Sequence, residues 1–202
     1  MKTLEVKLTF TEKVLGTSPN DEDIYRNFIG SKAPDDQTVE EEVEALGADA
    51  VAEKGTTVFA RDEESGKPAL YDYHIKGHFK DAASMLKKAT GYKSANLKAH
   101  KKEIDGLIFV NPRMIPLELP EGAEIGICER PLRAQTAKGE RVALAASECV
   151  PAGTTCTFEI TCLSDGDMVY VREWLDYGRL RGIGQWRNSG MGRYTWEELR
   201  CY

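Results

Sequence analysis

At 202 residues and 22.5 kDa, the chain fits one large domain, or one domain carrying an elaborate insertion; two full domains would be cramped. Its 41% hydrophobic and 30% charged residues are those of a soluble globular protein, and disorder throughout is excluded, since a chain this long buries roughly 70% of its unfolded surface. The net charge of −6 would argue against a nucleic-acid partner if it were evenly spread. It is not. Residues 1–65 hold 7 Lys+Arg against 16 Asp+Glu, a net of −9, whereas residues 76–102 hold 8 Lys against Asp81 alone, a net of +7. A second basic cluster, Arg179 to Trp196, contains Arg179, Arg181, Arg187 and Arg193 and no acid.

No window approaches roughly 18 consecutive apolar residues, and the opening MKTLEVKLTF alternates polar and apolar residues instead of forming a signal-peptide core. A cytoplasmic protein with no membrane partner is expected. The five cysteines, Cys128, Cys149, Cys156, Cys162 and Cys201, show no CxxC or CxxH spacing, so neither a metal site nor a disulfide framework is suggested. Reduced, mostly buried thiols are expected, and no cofactor.

In chain order, Leu4–Phe10 alternates as a strand with Leu4, Val6, Leu8 and Phe10 on one face. Val14–Pro19 reads as a turn, and the acidic stretch Asn20–Lys54 as a surface insertion, in which Thr38 and Glu41 form a capping-box pattern opening a short helix to about Leu46. Val58–Arg61 and Ala69–Tyr73 pair as a hairpin about Ser65-Gly66. Phe79, Ala82, Ala83, Leu86 and Thr90 follow helical spacing, giving a helix over His78–Ala89 that exposes Lys80, Lys87 and Lys88. The Lys93–Lys102 stretch lacks an apolar stripe and reads as a basic loop or a weakly structured arm. Strands follow at Leu107–Val110, Ile115–Leu119, Ile125–Cys128, Arg141–Ser147 and Thr155–Leu163, the last with Cys156, Phe158, Ile160 and Cys162 inward. A final helix over Asp167–Leu180 and a last strand at Met191–Trp196 complete an α+β, ferredoxin-like pattern of the β-α-β-β-α-β kind, with an antiparallel sheet, extra hairpins and the acidic N-terminal insertion.

Two segments carry chemistry. In Gly182-Ile183-Gly184-Gln185-Trp186-Arg187-Asn188-Ser189-Gly190-Met191-Gly192-Arg193, glycines permit positive φ and close approach of backbone amides to phosphate oxygens. Arg181, Arg187 and Arg193 add positive charge, and Trp186 offers a face for stacking a base. The same spacing also suits a tight helix-to-strand connection around a core Trp. It is not a dinucleotide fingerprint, because the glycines follow a helix and precede a strand. The second segment, Ile75–Leu86, turns from strand through Gly77 into a helix start, where Lys76, His78 and Lys80 would reinforce phosphate binding; solvated helix-end charges are the bland alternative. Asp21, Asp23, Asp35 and Asp36 would suit a metal or RNA cleavage, though solvated loop acids account for them equally.

Four elements in order resemble the CRISPR-associated RAMP superfamily: the glycine turn Val14–Pro19, the strand-Gly-helix Ile75–Leu86, the VPxGxxF-like Val150–Thr154 ahead of a strand, and the glycine-rich loop Gly182–Gly192. The resemblance spans Val14 to Trp196. It implies a single RAMP-like domain over residues 1–202, RRM-like in fold, with an acidic insertion at 20–54 and a basic projecting segment at 91–105. It also implies guide-like, single-stranded RNA as partner, in company with CRISPR effector subunits or further copies of the chain in an oligomer serving antiviral defence. Carried over, Gly182, Gly184, Gly190 and Gly192 form the RNA-contacting loop, to which the residues themselves add Arg181, Trp186, Arg187 and Arg193. Lys76, Gly77, His78 and Lys80 sit at the helix start, Lys87 and Lys88 extend the basic face, and Lys93, Lys98, Lys101 and Lys102 lie on the arm. The family's small serines at the helix start are here His78 and Phe79. A non-enzymatic RNA-binding protein is the leading expectation. A virus-encoded inhibitor (anti-CRISPR) that mimics or docks on such a subunit, and a metal-independent ribonuclease using His74 or His78, stay open, with no catalytic residue assigned.

Overall fold

Alternation along the first strand sets the architecture. A computed structural model describes residues 1–20, 56–136 and 139–202; the helix expected at Thr38–Leu46, residues 21–54 of the acidic insertion, and Asp21, Asp23, Asp35 and Asp36 lie outside the described residues. The described elements are β1 (Lys2–Phe10), β2 (Val14–Leu15), β3 (Ser18–Pro19), β4 (Thr57–Val58), β5 (Ala60–Arg61), β6 (Pro68–Tyr71) and α1 (Asp72–Leu86). Next come α2 (His100–Leu107), β7 (Ile108–Asn111), β8 (Met114–Pro116), β9 (Gly126–Thr136), β10 (Gly139–Val150), β11 (Thr155–Cys162), α3 (Met168–Arg181) and β12 (Tyr194–Cys201).

Chain contacts divide into two compact units: residues 1–14, 60–124 and 150–202, and residues 15–59 and 125–149. The first unit is built on a four-stranded sheet of order β12-β1-β11-β7, every neighbouring pair antiparallel. In order of appearance these strands are first, second (β7), third (β11) and fourth (β12), with α1 between the first two and α3 between the last two. That is the β-α-β-β-α-β ferredoxin-like arrangement.

The core lies between this sheet and its helices. Leu4, Val6, Leu8 and Phe10 from β1, Cys156, Phe158, Ile160 and Cys162 from β11, and Ile108 and Val110 from β7 are buried. Ile75, Phe79, Ala82, Ala83 and Leu86 form the matching stripe on α1, and Met168, Val171, Trp174 and Leu175 that on α3. Each large side chain so removed from water contributes about 1.5–3 kcal/mol. Phe79 and Trp174 meet with ring centroids 5.5 Å apart. Burial also raises the Cys156 thiol pKa to about 12, so it is an inert core group.

Three expectations are corrected. First, α1 begins at Asp72, not His78, because Ile75 extends the Phe79–Ala82 stripe back by a turn and the Tyr71 amide donates to His74 Nδ1 at 3.1 Å. Second, the Lys93–Lys102 stretch is neither a loop nor a weakly structured arm. Lys93–Asn96 forms a 3-10 turn with Ser94 fully buried, and α2 follows with Ile104 buried. The Glu173 carboxylate of α3 accepts from the Lys93 amide at 2.7 Å, the Ser94 amide at 3.0 Å and the Ser94 hydroxyl, to which Trp174 Nε1 in turn donates at 2.9 Å. Third, the strands around 125–150 are longer than their alternation suggests and pair as one hairpin, β9 with β10, over the register Gly139↔Thr136 to Cys149↔Gly126.

That hairpin belongs to the second unit, whose sheet has the order β2-β10-β4-β3 with β9 on β10. Gly16, expected in a turn, lies against the Val58 backbone so closely that a Cβ would overlap it. Its amide donates to the Glu148 carbonyl at 2.8 Å. Buried Ser147 bonds Thr57 Oγ1 at 2.7 Å and accepts from Arg130 at 3.1 Å.

Two glycines give opposite expectations. Gly77 lies inside α1 with open space around its missing Cβ, so Gly77→Ala should stabilise by about 1 kcal/mol. A Cβ on Gly178 would overlap the buried Tyr194 ring, so Gly178→Ala should destabilise by at least about 1–3 kcal/mol. Chemical denaturation of both variants checks this; equal shifts would contradict the placement of α1 and α3.

Candidate nucleic-acid interface

The two basic segments, about a hundred positions apart in sequence, meet on α1. On one side Lys76 Nζ donates to the Asp105 carbonyl at 3.4 Å and lies 4.9 Å from the centroid of the Phe109 ring. Lys80 Nζ pairs with the Asp105 carboxylate at 2.6 Å, and Lys87 Nζ donates to the Lys98 carbonyl at 3.2 Å. These bonds hold the 98–105 stretch against α1. On the other side Asp81, the single acid of residues 76–102, accepts from Arg181 Nε at 3.1 Å and Arg187 Nη1 at 2.7 Å. Lys88, Lys98, Lys101, Lys102 and Arg193 are exposed, and among the described residues none has an ion pair.

The glycine-rich loop is built for backbone crossing. Gly182 and Gly192 have φ of 76° and 72°, and a Cβ on either would overlap the backbone of the opposite limb. Ile183 N donates to the Gly192 carbonyl at 3.0 Å, and Gly192 N to the Lys13 carbonyl at 2.8 Å. The amides of Gly182 and Gly190 are also taken, by Gly178 and Arg187. Of the four glycine amides expected to face phosphate, three are therefore used within the chain. Gly184 is the exception among the described residues, and it lines an open concavity of about 360 Å³ with Arg181, Gln185, Trp186, Arg187 and Asn188. Trp186, at φ 55° in the left-handed region, is 37% exposed, which is not the core position that a tight connection would give it. The Arg193 side chain folds over Gly190, whose Cβ position lies 3.4 Å from its Cζ.

Other motifs gather at the end of β1. The Gly153 amide donates to the Phe10 carbonyl at 2.7 Å, Phe10 N to Thr154 O at 2.9 Å, and Thr11 N to Arg193 O at 2.8 Å. The Val150–Thr154 turn and the glycine-rich loop are thus both tied to one strand end.

Two expected contacts are corrected. Gly77 stands in the helix interior, not at a helix start, so the first turn of α1 holds Asp72 in place of Lys76, His78 and Lys80. His78 is 3% exposed and hydrogen-bonded through Nε2 to the Tyr194 hydroxyl at 2.9 Å. Burial, reinforced by Arg187, lowers its pKa from 6.5 to about 4. A neutral, enclosed imidazole does not present charge to a phosphate. His74 likewise accepts from the Tyr71 amide, and burial lowers its pKa to about 4. Among the described residues no three His, Cys, Asp or Glu side chains cluster as a metal site.

The sheet's other face is polar. Thr3, Glu5, Lys7 and Thr9 of β1 pair with Thr161, Glu159, Thr157 and Thr155 of β11, and Lys7 and Thr9 with Glu197 and Thr195 of β12. Two exposed rings also lie on it, Phe109 opposite Thr161 and Tyr202, whose hydroxyl donates to Glu159 Oε1 at 2.8 Å. Residue-level reading missed Asp81, although its isolation among lysines was the signal, and it missed Glu173 and Tyr194, whose partners lie 79 or more positions away.

No protein-family model matches the chain, and no curated protein does. Among solved structures, a chain of the type III-B Cmr-beta complex bound to cognate target RNA overlays with a TM-score of 0.54 and 11% identity, covering 100% of this chain and 60% of that one. A chain of a type IV-B CRISPR complex overlays at 0.47 and 12%, covering 98% and 90%. The protein is thus an α+β, ferredoxin-like protein that shares its fold with a chain of the type III-B Cmr-beta structure. It spans 60% of the length of that type III-B chain.

The enclosed histidine sets a pH dependence. Folded His78 takes its proton only near pH 4, whereas an ordinary histidine does so near 6.5. The unfolded state therefore binds the proton first, and this contribution is full above about pH 6.5 and falls as pH drops toward 4. The urea midpoint should fall across that window, and His78→Gln should flatten the fall. A profile for H78Q parallel to that of the unaltered protein would contradict it.

Proposed function

We propose that the chain is a non-enzymatic, single-stranded RNA-binding subunit of the CRISPR effector type, gripping phosphates along α1, the 98–102 stretch and the glycine-rich loop. The observation that carries this reading is the convergence of the two remote basic segments on α1, where Asp81 receives Arg181 and Arg187. The fold shared with a chain of an RNA-bound CRISPR complex supports it. Phosphate contacts of this kind fix register without reading sequence, and the concavity beside Trp186 gives one base a ring to stack on.

A second reading, in which the chain docks on an effector complex in place of such a subunit, draws on the neutralisation of Lys80, Arg181 and Arg187 by the chain's own acids. A pull-down with effector subunits, run with and without ribonuclease, separates the two: tight, ribonuclease-resistant capture without RNA affinity favours docking.

RNA binding should weaken steeply with salt, log affinity falling by about 0.7 per tenfold rise in salt for each phosphate neutralised. Lys88→Glu, Lys101→Glu and Arg193→Glu should each weaken it several-fold across sequences and lower the salt slope. Fluorescence anisotropy of labelled single strands measures both. Salt-insensitive binding, or charge reversals without effect, would overturn the reading.

A further inference from the structure

Asp81 Oδ2 receives both Arg181 Nε, at 3.1 Å, and Arg187 Nη1, at 2.7 Å. The three side chains are only 21%, 27% and 30% exposed, so solvent screens the group less than it does a surface pair. Arg181 is further oriented by Asn188 Oδ1 at 2.7 Å. Two planar forks converging on one oxygen beside the Gly184–Asn188 concavity is the donor geometry that recognises a phosphate. With two guanidinium charges against one carboxylate, the group retains a net positive charge that favours a second anion. A tetrahedral phosphate, with more oxygens, can offer each fork its own acceptor where the two now share a single carboxylate oxygen.

We propose that Arg181 and Arg187 form an oxyanion site whose built-in occupant is Asp81, displaced when a phosphate group binds. The choice of RNA as the phosphate's source rests on the function proposed above; the site itself does not. Displacement makes the binding-competent loop a fraction of the population and lowers apparent affinity by that fraction. The site then discriminates against weak or isolated anions and admits a polyanion whose neighbouring phosphates are already held by the exposed lysines.

The test compares Asp81→Asn with Glu103→Gln, which removes the same charge from α2 where no ion pair is made among the described residues. An oligouridylate single strand read by anisotropy and inorganic pyrophosphate read by calorimetry are the probes. Asp81→Asn should tighten both by about tenfold, more than Glu103→Gln does, and adding Arg187→Ala should cancel the gain. If Asp81→Asn does not melt cooperatively, Asp81→Ser is read in its place. A gain for pyrophosphate with no RNA binding in any variant supports the site and removes the RNA reading. Equal responses to Asp81→Asn and Glu103→Gln, or a gain that survives Arg187→Ala, would overturn the site whatever the RNA affinity.

Discussion

The ion-paired carboxylate of Asp81 is the constraint on which the candidate interface depends. It fixes the Arg-bearing end of the glycine-rich loop to the flank of α1, while the loop's own crossing at Gly182 and Gly192 fixes its base. Without that bond, Arg181 and Arg187 would be long, mobile cations paying rotamer entropy to reach any ligand. With it, they are preorganised but partly neutralised. The same compromise recurs on the opposite flank, where Asp105 positions Lys80 with its carboxylate and Lys76 with its carbonyl. Charge counted along the chain therefore overstates the field available to a partner, and geometry decides which cations remain.

The fold was legible where periodicity is clean. Alternation in β1 and β11 and the stripes on α1 and α3 define a ferredoxin-like core in the sequence, because each element buries one face against the same layer. Boundaries failed where a residue's meaning depends on a distant partner. Gly77 looks like punctuation, yet α1 runs through it because Ile75 and Phe79 on either side are both held in the core. The stretch from Lys93 looks like a solvated arm, since one buried serine and one buried isoleucine make no visible stripe. Its order comes from Glu173 and Trp174, some 80 positions on.

The site was legible in composition and less so in role. The glycines and arginines of 181–193 do gather beside α1, but three of the four glycine amides satisfy the chain's own carbonyls, so the glycines act first through positive φ and close approach. His78 was misread because a histidine among lysines resembles a basic patch, whereas its helical position points it toward Tyr194 and the core. Trp186 ran the other way: a residue that spacing alone would equally place in the core stands partly exposed at the concavity.

The central claim is that α1, the 98–102 stretch and the glycine-rich loop together form one phosphate-gripping surface. Photocrosslinking of the full chain to a uridine-rich single strand, with the attachment sites read by mass spectrometry, tests it most directly. Adducts are expected at Trp186 and among Lys88, Lys98, Lys101, Lys102 and Arg193. Adducts confined to the threonine-rich sheet face, or none at low salt where binding is strongest, would contradict it.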